Sequence, residues 1–244
     1  MNASQAIDHG LRLREQGADL VDVGGESTRP GADAVALDEE LRRVMPVVEA
    51  LAREGVPVSV DTMKPEVMRA AIDAGCAVVN DVNAFRAPGA IEAVASADVG
   101  LIAMHMQGTP QTMQAEPHYD DVVAEVGAYL RGRAQALEAA GVDAARIALD
   151  PGFGFGKTLE HNVALFRAIP ALASMGYPLL VGVSRKRMIG EITGRPLGER
   201  TAGSVAAALL AVQNGARLVR VHDVKETVDA IRVWTATKPS ENHP

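Results

Sequence analysis

The segment Asp150-Pro-Gly-Phe-Gly-Phe-Gly-Lys157 sets a carboxylate, two aromatic rings, three glycines and a lysine directly after the apolar run Arg146–Leu149. Pro151 stops a strand, and the glycines permit backbone angles that side chains forbid. Such a loop can gather an acid, an aromatic face and bare amides around one flat ligand, although a capped glycine turn would look the same in isolation. The same grammar, an apolar run followed by a polar tip, recurs along the chain. Gly24-Gly-Glu-Ser-Thr-Arg29 follows Val21–Val23, Asp61-Thr62 follows Val58–Val60, and Asn80-Asp81 follows Val78-Val79. His105 and Gln107 close the run from Leu101, Ser184-Arg-Lys186 follows Val183, and His222-Asp223 follows Leu218–Val221. Each tip alone reads equally well as a helix cap or a solvated turn.

Taken together, the tips fall into two chemical groups. Asp61, Asn80, Asp150 and Lys186 offer donors and acceptors suited to the edge of a heterocycle that carries amide and amino groups. Arg29, Arg220 and His222 are cationic or anion-seeking and suit a diphosphate. No cysteine–histidine set has zinc spacing, and His105, His118 and His161 are scattered. There is no phosphate-binding P-loop, no Gly-x-Ser-x-Gly elbow and no dinucleotide-binding glycine fingerprint, which argues against phosphoryl hydrolysis, acyl transfer and hydride transfer.

The elements that must carry these tips alternate from end to end. Strands are expected at Ala18–Val23, Val56–Val60, Ala77–Asn80, Leu101–Met106, Arg146–Asp150, Pro178–Ser184 and Arg217–Val221. Helical patterns cover Leu37–Arg53, Pro65–Ala74, Asp121–Ala140, Thr158–Ala173 and Thr201–Asn214, with a further helix-like segment at Ser4–Gln16. Gly17, Gly55, Gly75, Gly141, Gly176 and Gly215 stand where a helix should end before the next strand. The continuous apolar strands suit a parallel sheet buried on both faces. A closed (β/α)8 barrel and an open doubly wound sheet both meet this description. Chemistry at nearly every strand end favours the barrel, because an open sheet concentrates it at one switch point. Only seven strands are countable.

The bulk properties narrow the setting. A chain of 244 residues with 48% hydrophobic and 23% charged residues can bury one large α/β core. No linker divides it, so residues 1–236 read as one domain and residues 237–244 as a frayed tail. The formal net charge of −7 disfavours a nucleic-acid or acidic-membrane surface while leaving room for a local cationic pocket. One cysteine, no signal-peptide pattern and no run long enough to span a bilayer point to the cytoplasm.

In order along the chain, Asp22-Val-Gly-Gly-Glu-Ser-Thr-Arg-Pro-Gly31, Ser59-Val-Asp-Thr62, Asn80-Asp-Val82, Met104-His-Met-Gln-Gly108, Asp150–Lys157, Ser184-Arg-Lys186 and Arg220-Val-His-Asp-Val224 closely resemble dihydropteroate synthases. The resemblance implies a (β/α)8 barrel, usually a homodimer. The implied reaction joins p-aminobenzoate to 6-hydroxymethyl-7,8-dihydropterin diphosphate with Mg2+, releases pyrophosphate and serves folate synthesis; sulfonamides compete with p-aminobenzoate. Carried over by motif, Asp61, Asn80, Asp150, Phe155 and Lys186 would bind the pterin, with Asp61 and Lys186 taking the catalytic parts. Thr28, Arg29, Arg220 and His222 would serve the diphosphate and p-aminobenzoate. Lys157 is expected to serve the following helix or solvent. The family's opening strand and its loop, which supplies an asparagine for Mg2+, have no counterpart here, so the chain is expected to lack the first barrel strand and to contribute no metal ligand. A start placed too late is the favoured explanation, and impaired activity the other. Two rivals share the pterin acids: a barrel methyltransferase that moves a methyl group from a folate to a corrinoid, and a non-catalytic pterin-binding paralogue.

Overall fold

The computed structural model describes residues 2–29 and 31–238. Its elements in chain order are α1 (Ala3–Glu15), β1 (Val21–Gly24), α2 (Leu37–Arg53), β2 (Val58–Asp61), α3 (Pro65–Asp73), β3 (Val78–Asp81), α4 (Ala90–Val94), β4 (Gly100–Met104), α5 (Val122–Ala139), β5 (Ile147–Asp150), α6 (Leu159–Arg167), α7 (Ile169–Ala173), β6 (Leu180–Val181), α8 (Arg187–Thr193), α9 (Thr201–Gln213), β7 (Leu218–Val219) and α10 (Val224–Thr237). The seven strands counted from the sequence are the seven found among the described residues. All six glycines expected at helix ends have positive φ, so each closes its helix in the conformation that glycine adopts without strain.

Strands β1 to β5 pair in sequence order and all in parallel, and β6 pairs with β7 in the same sense. A single parallel bridge between Leu149 and Leu179 joins the two sheets. The ends of this run approach one another. Arg220, just beyond β7, reaches Asp22 of β1 at 3.4 Å, and a Cβ on Gly17 would lie 3.3 Å from Val228 in α10. No pairing joins β1 to β7 among the described residues, so the parallel sheet curls as a barrel with one unpaired seam.

Strand alternation sorts the side chains into two layers. Val58, Val60, Val79, Leu101, Ala103, Ile147, Leu149 and Val181 face the helices and join the main core. The opposite face carries a separate small cluster of Ile102, Ala148 and Leu180, with Val78 and Leu218 packed against it. The same period of two then places Asn80, Met104, Asp150, Gly182 and Arg220 one layer further along this concave face.

Several boundaries differ from the sequence expectation. β6 and β7 are only two residues long: Arg220 N makes a hydrogen bond between them, to Val181 O at 3.0 Å, and the chain after it leaves the ladder. The single helix expected over Thr158–Ala173 is broken at Ala168, with Pro170 opening its second piece, as a residue without an amide proton must near a helix start. The last helix runs to Thr237, one residue past the expected domain end; residues 239–244 of the expected tail lie outside the described part.

Candidate active site

Asp61 and Asp150 end β2 and β5, Asn80 is the penultimate residue of β3, and alternation turns all three onto the concave face. Asp61 and Asn80 are direct partners in the parallel register. Asn80 is 0% exposed, yet neither its amide oxygen nor its nitrogen has a hydrogen-bond partner among the described residues. The same holds for Asp61 Oδ1, Ser59 Oγ and Arg220 Nη2. Buried polar atoms cost free energy when unpaired, on the order of 1–3 kcal/mol each. Such a concentration on one face marks a surface built to meet a polar ligand.

Electrostatics give each group its state. Burial, reinforced by the carboxylate of Asp22, pushes Asp61 up to about 7. Burial and the neighbouring Arg220 bring Lys186 down to about 8. Near neutral pH the site thus holds a carboxyl group close to its titration and a lysine still mostly protonated. His222 lies below its ordinary value through burial and the nearby Arg185, and Arg29 contributes in the same direction. That long-range effect puts the exposed Arg29 within electrostatic reach of His222, whose ring nitrogen and amide both contact Ser184 Oγ at 3.1 Å.

The glycine segment is held more tightly than its composition suggests. Gly152, Gly154 and Gly156 have φ of 67°, 81° and 63°. A Cβ on Gly152 would sit 1.9 Å from His105 O, so the backbone crosses the end of β4 where no side chain fits. Asp150 Oδ1 accepts from Gly152 N at 2.7 Å. Every carbonyl from Gly152 to Gly156 then receives a side-chain donor. Lys157 Nζ donates to Gly152 O at 2.9 Å and Phe155 O at 3.0 Å, Lys186 Nζ to Phe153 O, Gln114 Nε2 to Gly154 O at 2.6 Å and Tyr119 Oη to Gly156 O at 2.9 Å.

Here the structure corrects the expectation for Lys157. It is 3% exposed, 2.9 Å from His105 Nδ1, and depressed to about 7 by burial. It serves neither solvent nor the following helix; it latches the loop, because the alternating glycine turns point successive carbonyls inward. The phenylalanines divide as the sequence suggested. Phe153 is fully buried against Phe166, whereas Phe155 is partly open, packs with Met63, Met104, Met106 and Met113, and lies 4.7 Å from Lys186 Nζ. That apolar wall, facing the polar edge of Asn80 and Asp150, suits a flat ring.

The remaining predicted residues lie on the segments that follow β1 and β7. Arg220 pairs with Asp22 while its Nη2 is buried and has no hydrogen-bond partner among the described residues. Thr28 is half-buried and Arg29 exposed on the segment after β1. Asp81, beside Asn80, is turned away: its carboxylate accepts from Asn83 N and Phe85 N at 2.7 Å each and supports the following turn. Sequence reasoning missed Gln114, Tyr119, Lys64, Glu26 and Glu40. Only Lys64 carried a local signal, standing between Asp61-Thr62 and a proline that opens a helix.

The sequence pattern of the family described as pterin binding enzyme matches residues 1–222. A dihydropteroate synthase of Neisseria meningitidis serogroup C is 53% identical over 239 residues, which cover 96% of this chain and 84% of that protein. Two solved structures superpose closely. The Xanthomonas albilineans dihydropteroate synthase with 4-aminobenzoic acid gives a TM-score of 0.92 at 56% identity, covering 97% of this chain and 86% of that one. The Burkholderia cenocepacia enzyme complexed with 7,8-dihydropteroate gives 0.90 at 57% identity, covering 96% and 86%. Those structures carry the barrel fold that the curled sheet forms here. The chain belongs to the family of pterin-binding enzymes, and its relatives at this level of identity are dihydropteroate synthases.

Proposed function

We propose that this chain condenses 6-hydroxymethyl-7,8-dihydropterin diphosphate with p-aminobenzoate, forming 7,8-dihydropteroate and pyrophosphate. The observation that carries the reading is the fully buried Asn80 amide, unpartnered at both ends among the described residues, on one face with Asp61 and Asp150, whose charges both reach Lys186. A pterin edge has an amino group and a ring N–H that a carboxylate accepts, and a ring carbonyl that a lysine or an amide donates to. Phe155 and the surrounding methionines offer the ring face its apolar contact.

The reaction breaks the C–O bond between the pterin methylene and the diphosphate, and the electron pair leaves with the diphosphate. Arg220, with no partner at Nη2 among the described residues, and His222 and Arg29 are suited to hold that charge. The methylene carbon is left electron-poor, and the Asp61 carboxylate stabilises it. The aniline nitrogen of p-aminobenzoate then forms the C–N bond and gives up one proton. Thr28 and Arg29 serve this second substrate. Positioning and charge complementarity carry the rate, so no enzyme nucleophile is needed.

Mg2+ is the implied cofactor. Among the described residues no group of three or more His, Cys, Asp or Glu side chains could cage a metal. Mg2+ bound to a phosphate substrate needs only one or two protein carboxylates. An ion brought in with the diphosphate is compatible with the expectation that this chain supplies no metal ligand of its own. When bound, the ion neutralises diphosphate charge.

A homodimer in the cytoplasm completes the proposal. No helix among the described residues is long and apolar enough to cross a membrane. A hollow of about 340 Å³ between α6, α8 and α9 is lined by Val163, Phe166, Met188, Ile189 and Leu210. Ile192 and Leu210 beside it are 59% and 48% exposed, which supports a face covered by a second copy.

The test is incubation with both substrates and Mg2+, following pyrophosphate release and the mass of dihydropteroate, with a sulfonamide as competitor of p-aminobenzoate. Titration calorimetry with pyrophosphate separates the methyltransferase rival, which has no need of an anion site. No pyrophosphate binding and no turnover, with pterin binding retained, would favour the non-catalytic paralogue.

A further inference from the structure

A charged cluster outside the substrate hollow ties two site loops together. Lys64, at the start of α3, donates to Glu26 Oε2 and to Glu40 Oε2 at 2.5 Å each. Glu40 sits on α2 with no exposure, and its other oxygen accepts from Thr62 Oγ1 at 2.6 Å. Thr62 follows Asp61 directly. Glu26 follows β1, and the same Oε2 also accepts from Val35 N at 3.1 Å. One glutamate thus closes the segment 26–35, which carries Thr28 and Arg29, and one lysine fastens that closure to the strand end that carries Asp61. The base of the segment is fixed from α2 as well: Arg43 Nη1 donates to Gly25 O at 3.0 Å, and a Cβ on Gly25 would lie 2.8 Å from Glu40 Cγ.

We propose that Lys64 is a positioning residue, which through Glu26 holds the 26–35 segment in register with Asp61 and so sets the place of Thr28 and Arg29. The physical reason is charge. Two carboxylate oxygens, each 2.5 Å from one ammonium nitrogen, are at most about 5 Å apart in a partly dry setting, and that lysine is the cation that bridges them. Without it the two charges repel at close range, and the more exposed carboxylate gains most by moving into water. Glu40 is enclosed on a helix and held by Thr62, so Glu26 leaves and takes its loop along. The link to loop order stands on the geometry alone; the link to p-aminobenzoate rests on the function proposed above.

Hydrogen exchange read by mass spectrometry tests the loop, and steady-state kinetics test the substrate. In Lys64→Met, exchange in residues 26–35 should quicken about tenfold or more, with α3 and β2 unchanged. The KM for p-aminobenzoate should rise about tenfold while that for the pterin diphosphate stays within twofold. Lys64→Arg should keep most of the protection. Lys64→Met combined with Glu26→Gln should regain part of it, since the repulsion is gone. Glu26→Ala, which leaves Lys64 and Glu40 paired, should loosen the same segment should Lys64→Met fail to fold. Wild-type exchange in the loop of Lys64→Met or Glu26→Ala overturns the proposal. So does loosening spread equally over α3 and β2, which would make the cluster a general stabiliser. A wild-type protein with no turnover would count against the proposed reaction and leave the exchange result standing.

Discussion

Asp61 carries the sharpest conflict between stability and use. Its folded-state value of about 7 lies above the ordinary 3.8, because burial and Asp22 disfavour the charge. Below pH 3.8 both folded and unfolded chains hold the proton and nothing is lost. As pH rises towards 7 the unfolded chain releases its proton first, so folding stability falls and the penalty is complete above about pH 7. Asp61→Asn should therefore raise the melting temperature at pH 8 more than at pH 4, by about 1–3 kcal/mol in stability. It should also cut kcat/KM by at least about a hundredfold, on the order of 2.7 kcal/mol. Thermal melts at the two pH values check the first part and initial rates the second. A melting temperature unaffected by pH would sink the account.

At the scale of elements, the glycine segment after β5 is a built device. Gly152→Ala would put a Cβ 1.9 Å from a backbone oxygen at positive φ, so the loop must move. Destabilisation above about 3 kcal/mol, or soluble protein without pterin affinity, is the expected result, measured by denaturant unfolding and calorimetry. Lys157→Met tests the latch. It removes donors from Gly152 O and Phe155 O, and the KM for the pterin diphosphate should rise about tenfold, worth about one charge-assisted hydrogen bond. Kinetics at saturating p-aminobenzoate measure it; an unchanged KM would mean that Lys186, Gln114 and Tyr119 suffice to hold the loop.

For the molecule as a whole, the curled sheet and the exposed apolar face are the features that composition alone hid. The net charge is −7, yet Lys186 lies close enough to Arg220 and to His222 for their charges to interact. If a second copy covers α8 and α9, then Ile192→Asp with Leu210→Asp should convert a dimer into a monomer in light scattering. Both positions lie outside the substrate hollow, so a monomer that binds pterin with wild-type affinity is expected. An unchanged mass would place the dimer face elsewhere, or show that the wild type is a monomer.

Apolar runs and helix-ending glycines, read along the chain, located seven strands and a polar tip on nearly every one, because strand burial and left-handed caps are local demands on residue type. Motifs carried by resemblance named candidate site residues, and the tertiary structure sets Asp61, Asn80 and Asp150 on one concave face, with Lys186 over the Phe155 ring and close enough to feel both acids. The direction in which neighbours point was not legible. Asn80 faces the ligand side and Asp81 the helices, a matter of strand alternation once register is set. Nor was the fate of charges decided locally. Lys157 was expected to serve the following helix or solvent and is a buried latch; Lys64, which sequence reasoning passed over, is the counter-charge of two distant carboxylates. Residue type and spacing determine which groups can reach a site, since they act within one strand or one turn. Which charges are desolvated and paired depends on contacts between segments tens of residues apart, and folding alone creates those.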